Sequence, residues 1–229
     1  MSAASPPYAF VTLITSDSYL HGALVVAAAL RDLHQYPVQL PAEVDPSEFH
    51  VVCLVTPETV DVQTLKLLRR VFDIVIGVEV LKGDMDDALT LLGIARYKGL
   101  DDFFADSIAD LKGRPDLGDV LTKLHVFRLE TYRKIIYLDA DVLPVLPLSH
   151  LFLITSSFAA VPDVGWPDIF NSGVLVLTPG EDKFKEIMEL VVSEGSWDGG
   201  DQGVLNEWRG NDWERLSFTY NTTPTAAYT

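Results

Sequence analysis

Lys134-Ile135-Ile136-Tyr137-Leu138-Asp139-Ala140-Asp141-Val142-Leu143 opens as a continuous apolar, β-branched run behind the basic pair Arg133-Lys134. It then stops on two acidic side chains separated by one small residue. Such a run predicts a strand buried on both faces, as in a parallel or mixed sheet. In an open α/β sheet, the carboxyl ends of the strands are where ligands bind. Two carboxylates placed there repel each other and resist desolvation unless something positive sits between them. A hard divalent cation meets that need, and such ions more often carry substrate phosphates than fill closed protein cages. Asp139 and Asp141 are therefore candidate metal ligands at a diphosphate site; the alternative is a strand that ends in a polar turn. Asp84-Met85-Asp86 repeats the spacing with no strand before it, and reads as solvated loop.

Working outward, Asp119 to Leu129 predicts a helix leading into the central strand, with Asp119 as its N-cap. Tyr8 to Ile14 is the first strand, directly after the prolines. Thr15 to Ser18 is a polar loop and Tyr19 to Leu33 a helix apolar on much of its surface. That loop joins a strand's carboxyl end to a helix N-terminus, where backbone N–H groups can receive a nucleotide. Phe49 to Val55, Pro57 to Arg70 and Phe72 to Val80 read as strand, helix and strand, the last with a candidate break at Gly77. The resulting β-α-β-α-β order argues for parallel strands with right-handed crossovers. Downstream, Phe158 to Val161 is a strand, and Asn171-Ser172-Gly173 opens another at Val174 to Leu177. Glu181 to Ser193 is an amphipathic helix, and the tight turn Asp198 to Gly203 starts a helix ending near Trp208. Gly83 to Gly113 reads as a charged, glycine-punctuated loop excursion with a short helix at Leu100 to Leu111.

With 229 residues, 48% hydrophobic and 22% charged, the composition is that of one soluble globular domain. A formal net charge of -16 argues against nucleic acid or an anionic membrane as the partner. Cys53, the single cysteine, lies in an apolar run and reads as a buried, inert thiol. Neither a signal peptide nor a membrane span is evident, since the apolar window Gly22 to Leu30 is too short to cross a bilayer. A cytoplasmic protein is expected, with the glycosylation sequon at Asn221 a chance match. No Gly-x-Ser-x-Gly, P-loop or Gly-x-Gly-x-x-Gly occurs, which lowers hydrolase, NTPase and dinucleotide readings. The five histidines lack metal-ligand spacing, and His125 reads as packed.

Releasing a sugar from a nucleotide diphosphate leaves a highly charged group that a catalyst must neutralise with a metal and a cation. Lys123 and Arg114 are the nearest basic candidates in sequence; the plainer alternative makes them solvated charges. Asp198 and Asp201 flank Gly199-Gly200, where the backbone can approach a ligand closely. Asp201 is either a helix N-cap or a carboxylate facing an anomeric carbon. Asn171-Ser172-Gly173 either hydrogen-bonds sugar hydroxyls or turns the chain into a strand.

Ala9 to Leu13, Leu121 to His125, the DxD triplet Asp139-Ala140-Asp141, Gly165 to Asp168 with Asn171 to Gly173, and Asp198 to Gly203 occur in this order. Together they resemble glycosyltransferase family 8, in particular its glycogenin branch, from Tyr8 to Asn221. The resemblance implies a GT-A (nucleotide-diphospho-sugar transferase) fold of the α/β class, with a single mixed, mostly parallel sheet flanked by helices. It implies a retaining transferase that takes glucose from UDP-glucose with Mn²⁺, acting in glycogen biosynthesis on a glucan or a protein tyrosine, its own included, as a homodimer. By motif, Leu13, Thr15, Tyr19, Arg114 and the Ala140 backbone would hold the nucleotide, with Lys123 near the phosphates. Asp139 and Asp141 would bind metal. Asn171, Ser172 and Gly173 would surround the glucose with Asp198, Asp201 and Gln202, and Asp201 would act in the reaction step as nucleophile or in a front-face departure. The family's third metal ligand, in a His-Phe-x-Gly-x-x-Lys-Pro-Trp segment, has no counterpart before Thr229. The expectation is one GT-A-like domain over residues 1–229 without that segment, with weakened diphosphate binding and an insertion over residues 94–112. Ser16 replaces the family's asparagine, and Tyr228 lies near the tyrosine that glycogenins glucosylate. The rival expectations are another family 8 enzyme with a small acceptor, of the galactinol synthase kind, and a binding protein that kept the fold without the chemistry.

Overall fold

The chain was described by a computed structural model over residues 7–34, 48–81 and 121–223. In chain order the elements are β1 (Tyr8–Ile14), α1 (Leu20–Leu33), β2 (Phe49–Val55), α2 (Val62–Val71) and β3 (Ile74–Gly77). They continue with β4 (Lys134–Leu138), β5 (Phe158–Pro162), β6 (Phe170–Leu177), α3 (Glu181–Ser193), α4 (Asp201–Arg209) and β7 (Glu214–Arg215). Short 3₁₀ segments lie at Asp17–Tyr19, Thr122–Arg128, Ser149–Leu153 and Phe218–Tyr220. The strands form a seven-stranded sheet in the order β3-β2-β1-β4-β6-β5-β7. β1 pairs in parallel with both β2 and β4, and β2 with β3, whereas β6 runs antiparallel to β4 and to β5. The mixed α/β sheet expected from the apolar runs is thus present.

The alternation of side chains along each strand feeds two cores. Ala9, Val11, Ile135, Tyr137, Leu175 and Leu177 face Phe127 and the apolar stripes of α3 and α4. Tyr8, Phe10, Ile136, Leu138, Val174 and Val176 face α1 and Phe152. All five β4 residues are buried, which is why Ile135 to Leu138 carry no charge; the Lys134 ammonium at the strand's start donates to the Ser156 carbonyl. From β1 the chain moves outward to β2 and β3, then returns to the other side of β1 at β4. The strand order therefore reverses between β1 and β4, and the crevice at their carboxyl ends is the place such sheets use for ligands.

Four details depart from the sequence expectations. Thr122–Arg128 is a 3₁₀ segment, where an α-helix over Asp119 to Leu129 was predicted. Thr122 to Phe127 are all buried, so the segment has no solvent face for a 3.6-residue period to present. α2 starts at Val62, not Pro57, because the Thr56 carbonyl accepts the N–H groups of Thr59 and Val60 at 3.1 Å each and closes a turn first. β3 ends at Gly77, the expected break, and does not resume toward Val80. Asn171-Ser172-Gly173 lies inside β6, and pairing with β5 jumps from Ala160↔Leu175 to Val161↔Asn171. The residues between leave the ladder with β5 only: Val174 stays paired with Leu138 of β4, and the Gly173 carbonyl accepts the Asp139 N–H at the end of that strand. Arg114, Asp84, Asp86, Asp119, Tyr228 and the stretch 94–112 lie outside the described residues. Among the described residues no helix is long and apolar enough to cross a membrane.

Candidate active site at the ends of β1 and β4

The crevice between β1 and β4 opens as a cleft of about 310 Å³, lined by Leu13, Thr15, Ser16 and Tyr19 from the β1 side and by Tyr137, Asp139, Ala140 and Asp141 from the β4 side. Lys123 and Asp201 complete the lining. The Thr15–Ser18 loop is fixed from outside: the Thr59 hydroxyl donates to the Thr15 carbonyl at 2.6 Å, and the Asp61 N–H donates to Asp17 Oδ1 at 3.0 Å. Gly22 brings the first turn of α1 against β4's end. A Cβ there would stand 2.1 Å from the Ala140 carbonyl oxygen, so no other residue fits without a shift. Sequence reading did not single out Gly22, because its need arises from a contact 118 positions away in the chain.

Lys123 is the centre of charge. Its Nζ lies 3.0 Å from Asp139 Oδ1 and 2.7 Å from Asp201 Oδ2, with the Ser172 carbonyl and hydroxyl oxygens each at 3.3 Å. The Tyr137 ring lies beneath it, 5.2 Å from the ammonium. Lys123 and Asp201 are nearly closed to water at 7% and 9% side-chain exposure, while Asp139 keeps 32%. Burial alone would pull the ammonium's pKa down, but the carboxylates of Asp139 and Asp201 outweigh it and hold the group above the ordinary lysine range. The solvated-lysine alternative is excluded by this burial. Asp201 is the first residue of α4, with Gly200 as its N-cap, so its side chain is spent on Lys123 and not on capping.

The remaining acidic and amide groups divide into two roles. Asp198 is exposed and closes the turn before α4, accepting from the Gly200 N–H and the Ser196 hydroxyl at 2.7 Å each. Gln202 accepts the Ser172 N–H at 3.2 Å and donates to Asp163 at 3.4 Å. Asn171 Oδ1 accepts the Gly173 N–H at 2.9 Å and the Asn221 side-chain amide at 2.7 Å. The Gly173 carbonyl in turn receives the Asp139 N–H at 2.9 Å, tying β6 to the acidic pair. Asn206, which sequence reading passed over, accepts the Phe170 N–H and donates to the Phe170 carbonyl, both at 2.9 Å, anchoring α4 to β6. Its signal was a buried amide among the apolar positions of a helix.

His125 and Cys53 behave as packed residues. The His125 ring stacks on Phe184 at 5.7 Å with Nε2 3.0 Å from the Glu79 carbonyl, and burial lowers its pKa against the pull of that bond. Burial pushes the Cys53 thiol up to about 12. Among the described residues no group of three His, Cys, Asp or Glu side chains could close a metal shell. Of the three carboxylates that line the cleft, Asp201 is spent on Lys123, and the pair Asp139 and Asp141 fits a hard cation whose other ligands are phosphate oxygens and water.

Over residues 10–229 the chain matches the family described as glycosyl transferase family 8. It is 48% identical, over 98% of its length, to the glycogenin of Cryptococcus neoformans var. grubii, of which it covers 24%. It is 37% identical, over 96% of its length, to human glycogenin-1, of which it covers 55%. The chain thus spans between a quarter and about half of these curated relatives. Among solved structures, the bifunctional glycosyltransferase WbbM superposes with a TM-score of 0.62 at 14% identity, over 94% of this chain and 40% of that one. The galactosyltransferase LgtC, crystallised with donor and acceptor sugar analogues, superposes at 0.56 and 16% identity, over 96% of this chain and 77% of that one. At those identities the likeness is one of fold, the GT-A fold.

Proposed function

This chain belongs to glycosyl transferase family 8, and from that premise we propose that it moves glucose from UDP-glucose to an acceptor hydroxyl with retention of the α configuration, as a glycogenin-like enzyme. The acceptor in this reading is a glucan or a protein tyrosine, and the setting a cytoplasmic homodimer that primes glycogen. One observation carries it: a desolvated ammonium, Lys123, paired with buried Asp201 and with Asp139 at the sheet's switch point, where Asp141 adds a third carboxylate.

The nucleotide would lie against Leu13, Thr15 and Tyr19, with Arg114 joining from outside the described residues, and the ribose beside the Ala140 backbone. A Mn²⁺ ion held by Asp139 and Asp141 would offset the negative charge that builds on the departing diphosphate. Lys123, held with its hydration removed between Asp139 and Asp201, would lie beside this charge and need little reorganisation during the reaction. Asp201 offsets the positive charge that develops at the anomeric carbon. Gln202, Asn171, Ser172 and Gly173 orient the hexose, and Asp198, by holding the Gly199-Gly200 turn, aims Asp201 and Gln202.

The test is Mn²⁺-dependent cleavage of UDP-glucose by the purified chain, together with mass spectrometry for hexose added to the protein. Asp139→Asn with Asp141→Asn should abolish cleavage. Activity that survives both changes rejects the metal assignment, and no UDP binding by calorimetry in Mn²⁺ rejects the transferase reading in favour of a non-catalytic binding protein.

A further inference from the structure

Asp139 and Asp141 also line a second opening of about 560 Å³. Two segments outside the sheet contribute to it: the loop leaving β4, through Leu143 and Val145, and the segment Thr219 to Thr223. Segments without ladder bonds keep their place through side-chain ties and packing, and one tie from each segment meets the 3₁₀ turn Ser149–Leu153. The far end of the β4 loop is held by His34. Its Nδ1 sits 2.7 Å from the Leu30 carbonyl and therefore carries the proton, which leaves Nε2 to accept the N–H groups of Leu148 at 3.2 Å and Ser149 at 3.3 Å. From the same turn, His150 Nε2 meets the Tyr220 hydroxyl at 2.8 Å. Asn221, next in the chain, donates to Asn171 at 2.7 Å, and Gly173 returns to the Asp139 N–H at 2.9 Å.

These contacts form a closed circuit: from Asp139 along the loop to Ser149, through His150 to Tyr220 and Asn221, then through Asn171 and Gly173 back to Asp139. His150 contributes the link between two 3₁₀ turns, and it is exposed, so its side chain is not there to fill a core. We propose that His150 is a positioning residue for the acceptor: by holding Tyr220 it sets the Thr219–Thr223 wall of the second opening against Asp139 and Asp141, and so fixes where the incoming hydroxyl is presented. This rests on the transferase reading above. The wall it sets is rich in hydroxyl and amide groups (Thr219, Tyr220, Asn221 and Thr222) beside the apolar Leu143 and Val145, a mixture suited to a sugar's polar edge and C–H face.

The experiment uses the full chain with UDP-glucose, Mn²⁺ and maltose as the acceptor probe. His150→Phe keeps a ring and removes the nitrogen; His150→Asn keeps an acceptor. His150→Phe should raise the KM for maltose by about fivefold, the loss of one hydrogen bond, at unchanged kcat and unchanged donor KM, and His150→Asn should restore much of it. Amide exchange of peptide 217–223 should quicken in His150→Phe while β1 stays protected. A donor KM that rises as much as the maltose KM, or a maltose KM that does not move, overturns the assignment. Should the wild-type chain fail to cleave UDP-glucose at all, the transferase reading falls, and exchange then decides the tie: equal protection of 217–223 in both proteins refutes it.

Discussion

Replacing Lys123 with methionine keeps most of the side-chain volume and deletes the charge. Asp201, 9% exposed, then faces Asp139 across a desolvated gap with nothing positive between them. Removing one partner from a buried ion pair costs about 3–5 kcal/mol, mostly because the survivor is left uncompensated. Asp139, at 32% exposure, can turn toward water and adds less. For a chain of this size each kcal/mol moves Tm by about 2–4 °C, so Lys123→Met should melt roughly 10 °C below wild type. Adding Asp201→Asn should restore much of that loss, since the buried carboxylate is then neutral. The sign with pH is fixed by the raised lysine pKa. The pair's contribution is complete below the unfolded lysine value near 10.4 and fades only as pH rises through the higher folded value, so the gap should be flat from about pH 6 to 9 and narrow in alkali. Urea denaturation of the two single variants and the double variant measures this. A Lys123→Met protein within about 1 kcal/mol of wild type would refute the claim that Lys123 neutralises a buried acid.

Asn206→Ala strands the N–H and carbonyl of the buried Phe170 and should cost about 2–4 kcal/mol by urea denaturation, with no rescue by Asn206→Leu. Gly22→Ala places a methyl 2.1 Å from the Ala140 oxygen, so α1 must back away; UDP affinity by calorimetry should fall at least about tenfold, and stability by about 1–3 kcal/mol. Burial, aided by His150, lowers the His34 pKa against its Leu30 bond, so wild-type stability should begin to fall below about pH 6.5 as the unfolded state alone takes up the proton. A His34→Leu variant, less stable at neutral pH, should show a flatter profile between pH 7.5 and 5. Asp141→Asn should weaken UDP binding in Mn²⁺ yet strengthen it in a chelator, both read by calorimetry; a change of the same sign in both buffers contradicts the charge assignment.

β1, β2 and β4 were legible because each is a run of residues with one requirement, burial on both faces, written locally; the two exposed residues of β7 carry no such run and were not foreseen. The acidic pair was legible for the same reason, since the strand points to it. What sequence could not show was partnership. Lys123 reads in isolation like any helix-surface lysine, and only folding brings it to residues 16 and 78 positions away. The burial of Thr122 to Phe127, with Arg128 left at the surface, is a tertiary fact that a hydrophobic period cannot encode. Asn171 to Gly173 resembled a turn because their composition is that of a turn. In the fold they are a strand irregularity, and both readings need the same small, polar residues.

The charge balance of the cleft explains why binding should depend on a cation at all. Its described lining sets one ammonium, Lys123, against three carboxylates, Asp139, Asp141 and Asp201, a formal charge of -2 in a chain of net charge -16. At about 6 Å and an effective dielectric near 20, each like-charge pair costs about 3 kcal/mol, so a bare diphosphate is repelled from the place its shape fits. Lys123 cannot reverse this, because its charge is already matched by Asp201 at 2.7 Å and Asp139 at 3.0 Å. Asp141, exposed and outside that network, adds repulsion when no cation is present and attraction for one when it is. The same carboxylate therefore opposes the ligand alone and recruits it with metal, which makes a reversal of sign, rather than a simple loss, the signature of a metal-bridged site.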